Sequence, residues 1–181
     1  IEGTIFASDN EVLKVISNYE KALAIVKGQN SNLYLEVLQE AALSYEKNLQ
    51  IVKAISLHQQ AIDISSQLES IKSTISTNKT DKSLYSQWKI GMLQLIDNQL
   101  VESKNSFQVL LLRSDSKGYI YYQIKAKIGL GKVEMEQNKY SIAQSSFEAA
   151  QQLAEDNEED ALANEAFNLL AVLYEKQQDL N

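Results

Sequence analysis

The chain has 181 residues, 44% of them hydrophobic and 23% charged, which is enough apolar material for one domain or one repeat array with a sizeable core. Its net charge of −7 disfavours nucleic acid, whose phosphates call for a basic face, and equally disfavours an anionic membrane surface. With no cysteine and a single histidine, His58, the sequence excludes disulfides, thiol nucleophiles and multi-histidine metal sites, and it implies no cofactor. No apolar run approaches the roughly 18–20 residues of a membrane span. No signal peptide is visible, so a cytoplasmic location is the expectation. The first residue is not Met, as expected of a processed or excised piece of something longer. There is no proline, and Ala, Leu, Glu, Gln, Lys and Ser dominate, which favours helix nearly throughout.

The hydrophobic spacing predicts helices at about 9–27, 31–48, 51–75, 82–98, 100–114, 118–137, 140–155 and 158–177. The first carries Val12, Val15, Tyr19 and Ala22. Ala41, Ala42 and Tyr45 lie on the second, and Ala54, His58 and Ala61 on the third. STISTNKTDKS (73–83) is the most polar stretch, and it reads as a longer connection or a lengthened helix followed by a loop. The fourth helix carries Ile90 and Gly91, and the fifth Leu100, Ser103, Phe107 and Leu110. Leu130 and Gly131 mark the sixth, Ala143, Phe147 and Ala150 the seventh, and Leu170, Ala171 and Tyr174 the eighth. Gly91, Gly131 and Ala171 are evenly spaced, and the step from Ala42 to Gly91 is longer. A helical hairpin of this kind cannot bury its apolar face alone, so stacked neighbours build one continuous core. Ala42, Gly91, Gly131 and Ala171 allow close approach within a pair; Ala22, Ala61 and Ala150 do so between pairs, with Leu110 the exception. Tyr19, Phe107 and Phe147 fill the gaps that remain.

These positions resemble the tetratricopeptide repeat (TPR) pattern W-x₂-L-G-x₂-Y…A-x₃-F…P. Its Leu-Gly pair is Ile90-Gly91, Leu130-Gly131 and, with alanine for glycine, Leu170-Ala171 and Ala41-Ala42. Its Tyr is kept as Tyr45 and Tyr174 and replaced by Gln94 and Glu134. Its Ala-x₃-Phe pair is complete in Ala143/Phe147, with Ser103/Phe107, Ala54/His58 and Val15/Tyr19 as variants; the closing proline is missing everywhere. A repeat of about 40 residues exceeds the usual TPR length and resembles the longer variety of kinesin light chains and bacterial signalling arrays. The resemblance implies an all-α fold, an α–α superhelix (solenoid) of antiparallel helix pairs. It divides 1–181 as one array, truncated at both ends: a second half-repeat at 8–27, repeats at 31–75, 82–114 and 118–155, and a first half-repeat at 158–181. Uncapped ends imply further repeats or an effector domain in the parent protein, or a homodimer formed through those ends.

Several stretches invite a chemical reading. GLGK (129–132) lacks the strand, the spacing and the Ser/Thr of a phosphate loop, since Val133 follows the lysine, so Gly131 is read as a helix-packing residue. Gly129 has no counterpart in the other copies. His58 sits where the repeat takes an aromatic, with no Ser/Asp arrangement near it, and is read as structural. EDNEED (155–160) lacks calcium-loop spacing, and Asp156 with Glu159 is read as a helix-opening capping box. The sequon at Asn78 matters only in a secreted eukaryotic protein and is read as chance. Aromatic residues cluster at Tyr85 and Trp88 and again at Tyr119, Tyr121 and Tyr122.

In TPR arrays the first helix of each pair lines a concave groove. Carried onto this chain, the resemblance implies a peptide-binding groove at Tyr85, Trp88, Lys89 and Met92, then Lys125, Ile128 and Lys132, then Asn168 and Val172. Leu95, Met135 and Leu169 lie beside them. Aromatic, Met and Lys side chains together suit an amphipathic or extended peptide, with Lys132 facing one of its acidic groups. The lysine and asparagine of the chaperone-tail clamp are absent: Gln39, Leu43, Trp88 and Met92 stand at the matching positions. The function expected is a non-catalytic protein- or peptide-binding module or scaffold. The alternatives are a ligand-sensing segment of a larger regulator and a self-assembly element. No nucleic acid and no membrane is expected as a partner, and one histidine with no cysteine leaves little from which to build an enzyme.

Overall fold

The structure, a computed structural model, describes residues 2–27, 32–72 and 81–178; side chains are described from residue 14 onward within these, except at 70–72. Among the described residues there are eight helices and no strand: α1 (Glu2–Val26), α2 (Asn32–Lys47), α3 (Ile51–Lys72), α4 (Lys82–Ile96), α5 (Leu100–Lys117), α6 (Ile120–Glu136), α7 (Tyr140–Glu155) and α8 (Asp160–Gln178). Consecutive helices pack as antiparallel pairs in an all-α solenoid arrangement. Two compact units can be described, Ile1–Lys89 and Ile90–Asn181. The connection anticipated within 73–83, and the sequon at Asn78, fall largely outside the described residues.

The helices stop where the backbone turns left-handed. Leu49, Asn98, Gly118, Asn138 and Glu158 all have positive φ, between 55° and 71°. At each, the same pair of hydrogen bonds closes the preceding helix. The Asn98 N–H donates to the Leu95 carbonyl (3.1 Å) and the Gln99 N–H to the Gln94 carbonyl (2.8 Å). Asn138 and Lys139 do the same in the next repeat, onto Met135 and Glu134. This is the Schellman arrangement, which satisfies carbonyls a helix end leaves orphaned. Asn and Gly adopt it at little cost, whereas a side chain such as Leu carries a penalty of about 1–2 kcal/mol. Leu49, 82% exposed, has no packing to offset that strain. Leu49→Gly is therefore expected to stabilise the protein by about 0.5–1 kcal/mol, after allowance for the looser unfolded glycine. A rise in the urea midpoint at unchanged slope is the check.

The same caps correct the sequence-based boundaries. Gly118 and Glu158 close α5 and α7 rather than opening the helices that follow, so α6 begins at Ile120 and α8 at Asp160. Asp156 forms no capping box: it is the C-cap of α7, and its carboxylate accepts from Gln152 Nε2 at 2.8 Å. At the start of α4, the buried Asp81 accepts from the Ser83 backbone N–H at 3.0 Å and from the Ser83 hydroxyl.

The core of the second unit turns on two phenylalanines. Phe107 on α5 and Phe147 on α7 are fully buried. A Cβ placed on Gly131 would stand 2.5 Å from the Phe147 ring, and one on Gly91 2.8 Å from the Phe107 ring. Both glycines therefore do what the repeat pattern implied. Gly129 is accounted for as well: its Cβ would fall 2.4 Å from Phe107. Phe107 is thus seated between two glycines, one on the helix before it and one on the helix after it. Where the tyrosine of the pattern is replaced, a hydrogen bond joins the two helices of the pair. Ser106 Oγ donates to Gln94 Oε1 at 2.7 Å, and Ser146 Oγ donates to Glu134 Oε2 at 2.8 Å. In the first unit, Tyr45 is retained, and its hydroxyl donates to Glu20 on α1 at 2.5 Å.

Candidate functional site

In the first unit, α2 and α4 are tied side by side. Gln39 Nε2 donates to the Lys82 carbonyl and to Ser86 Oγ, both at 2.9 Å, and Lys82 pairs with Glu36 at 2.6 Å. Near the end of α2, Glu46 holds two partners at once. Its Oε1 lies 2.9 Å from His58 Nε2, and its Oε2 lies 2.8 Å from Lys89 Nζ. A carboxylate only accepts here, so Nε2 carries the proton. Nδ1 of this fully buried ring has no hydrogen-bond partner among the described residues. Burial pushes the Glu46 carboxyl up, but the hydrogen bonds from His58 and Lys89 outweigh it and hold the group below its ordinary range.

Three of the expected groove residues meet beside this carboxylate. Tyr85 presents its ring edge-on to His58 at 6.1 Å and lies 6.0 Å from Trp88. The Lys89 ammonium sits 5.4 Å from the Trp88 ring centre and 5.9 Å from that of Tyr85. Burial raises the Tyr85 hydroxyl, reinforced by the charges of Glu46 and Glu40. Tyr85, Trp88 and Lys89 are all partly exposed, forming an aromatic and cationic face underpinned by Glu46. Met92, further along α4, is also partly exposed.

In the second unit, the corresponding face lies on α6 and α8. Lys125 and Lys132 are two helical turns apart and so share one side of α6. Both reach Glu165 on α8: Lys125 Nζ stands 2.9 Å from Oε2, and Lys132 Nζ 2.9 Å from Oε1. Burial acts to raise the Glu165 carboxyl, yet the two lysine hydrogen bonds prevail and lower it. Asn168 and Val172 follow Glu165 at one and two turns on the same side of α8, both exposed. The Lys125 ammonium also lies 5.9 Å from the Tyr121 ring, which packs edge-on to Tyr122 at 5.2 Å.

One expectation needs correcting. Ile128 is only 2% exposed and packs with Ala150, Ala154, Leu162 and Ala166, so it belongs to the core beneath this face rather than to the face itself. Lys132 is partly exposed, and Glu165 engages it. Neither Glu46 nor Glu165 stands out in the sequence. The repeat register offers a signal for the second, because Glu165 falls on the position of Lys125, and opposite charges at equivalent sites of successive first helices invite pairing.

Among the described residues, no group of three or more His, Asp or Glu side chains is placed to hold a metal ion, and no helix is long and apolar enough to cross a membrane.

No family model and no curated protein matches this chain. Solved structures do. The apo form of RapI superposes with a TM-score of 0.76 at 14% identity, over 98% of this chain and 62% of that one. The Rap conjugation gene regulator of plasmid pLS20, solved in complex with the Phr* peptide, gives 0.61 at 17% identity, over 98% of this chain and 52% of that one. A putative kinesin light chain from Podosopora anserina with nearly identical TPR-like repeats gives 0.59 at 15% identity, over 97% and 92%. The chain thus spans between about half and three-fifths of the length of the two Rap proteins. At these identities the likeness establishes the fold: a TPR-like α-solenoid.

Proposed function

We propose that this chain is a non-catalytic peptide- or protein-binding module that offers the faces of its first helices, α2 and α4 in one unit and α6 and α8 in the other, to its partner. The observation that carries this reading is the chemistry of those faces. Aromatic rings, ordered lysines and an exposed Asn–Val pair sit on paired rigid helices, the mixture that anchors peptides through a few dominant contacts. The glycine–phenylalanine seat and the Asn cap both recur from one repeat to the next, which supports the longer TPR variety. Such a module acts without a cofactor, and the reading carries the expectation of a cytoplasmic location.

A second reading has its own support. The Rap structures extend well beyond the length matched here, and one of them is a gene regulator with a bound peptide. This chain would then be the sensing part of a longer regulator, with peptide binding coupled to a second element. Self-association through the ends of the array would appear as a concentration-dependent sedimentation coefficient.

The direct test of the face assignment is the double variant Trp88→Ala/Lys132→Ala. As surface groups, their removal is expected to cost about 1–3 kcal/mol in total and to weaken partner capture by the intact parent protein. Collapse of the fold would mean both are core and the assignment is wrong.

A further inference from the structure

We infer that Lys125 and Lys132 form a carboxylate-binding subsite which Glu165 occupies in the ligand-free protein, and that an acidic peptide group binds by displacing it. This rests on the peptide-binding reading and specifies its ligand chemistry. Two ammonium groups converge on one carboxylate, one per oxygen, each at 2.9 Å. That is the geometry of a carboxylate receptor, with the protein's own side chain as the bound group.

The receptor half is the more fixed half. The Lys125 and Lys132 side chains are 13% and 22% exposed, whereas Glu165 is 31% exposed and can swing its carboxylate into water. Exchange of one carboxylate for another leaves both lysines paired, and the displaced Glu165 carboxylate, already 31% exposed, is taken up by water. Beyond the subsite the face continues through exposed Asn168, an amide able to bond a peptide backbone, and exposed Val172.

The test uses the whole chain, isotope-labelled, with binding followed on the lysine ammonium and Asn168 amide resonances. Three probes are titrated: an amidated short peptide with one glutamate, the same peptide with glutamine, and a neutral peptide with a free C-terminal carboxylate. Glu165→Gln keeps one acceptor for the lysines but vacates the charge. It is expected to bind the glutamate peptide about tenfold more tightly than wild type, the equivalent of about 1.4 kcal/mol. Lys125→Gln/Lys132→Gln should lose that binding, and Glu175→Gln, an exposed charge on the same helix, should behave as wild type. The third probe shows whether a main-chain carboxylate serves as well as a side-chain one.

Equal affinity in wild type and Glu165→Gln, an equal gain in Glu175→Gln, or equal binding of the glutamine peptide would each overturn the inference. A random-sequence peptide selection on the same protein separates the two levels. Selected peptides that bind α6 and α8 indifferently to Glu165→Gln remove the subsite and leave the module. Failure to select any peptide removes the module reading itself.

Discussion

Phe107→Ala is expected to destabilise the protein by about 4 kcal/mol, near the upper end for a core truncation. The ring is fully buried and is gripped from both sides, by Gly91 on α4 and Gly129 on α6, so its loss opens two helix contacts at once. The complementary change tests the seat from the other side. Gly129→Ala removes a helix-weakening glycine and in open space would stabilise by roughly 1 kcal/mol. Here the new methyl would meet the Phe107 ring at 2.4 Å, far inside contact distance, and overpacking costs about 1–3 kcal/mol. The net expectation is destabilisation in wild type. In a Phe107→Leu background the sign should turn neutral or favourable, because a smaller side chain yields the space. Urea unfolding of the four proteins gives the coupling between the two sites. Additive effects would mean that the glycine is not kept open for the ring.

The second large effect lies at Glu46. Glu46→Ala removes the partner of a fully buried imidazole and of a mostly buried ammonium together. Stranding such groups is expected to cost about 3 kcal/mol at neutral pH. The loss should shrink on acidification. The Glu46 and Glu165 carboxyls are held below the ordinary 4.5 in the folded protein. The unfolded chain therefore binds protons first as pH falls. The stabilisation each contributes is fully present above the ordinary carboxylate range and is lost as pH drops through the lowered folded values. Wild-type stability should hold steady from pH 7 to about 5 with respect to these groups and then decline. Glu46→Ala should decline less steeply, as denaturant midpoints at a series of pH values would reveal.

The parts of this fold legible in the sequence are those set by local spacing. The helix count, the pairing and the glycine–aromatic contact at Gly131 and Phe147 follow from residues recurring at an even interval in a chain without proline. Gly129 is not interpretable in this way, because its partner Phe107 belongs to the preceding helix and its register is not shared by the other copies. The helix starts at Ile120 and Asp160 are obscured for a related reason. Gly118 and Glu158 look like openings in sequence, but their left-handed backbone closes the helix before them. Ile128 shows the limit of carrying a family's face onto a chain. It stands between Lys125 and Lys132 in the same i, i+3, i+7 series, yet as an apolar residue it turns to the core formed with α7 and α8. Glu46 is silent in the sequence because an ion pair between helices of neighbouring repeats has no local signature, and Glu165 shows only through the repeat register that gives it the position of Lys125.

The most direct probe of the proposed binding faces is a map of amide shift changes on the whole chain when a peptide selected against it is added. Changes concentrated on the first helices are expected, around Tyr85, Trp88 and Lys89 in one unit and Lys125, Lys132, Asn168 and Val172 in the other. Changes confined to α3, α5 and α7, with those residues silent, would contradict the face assignment.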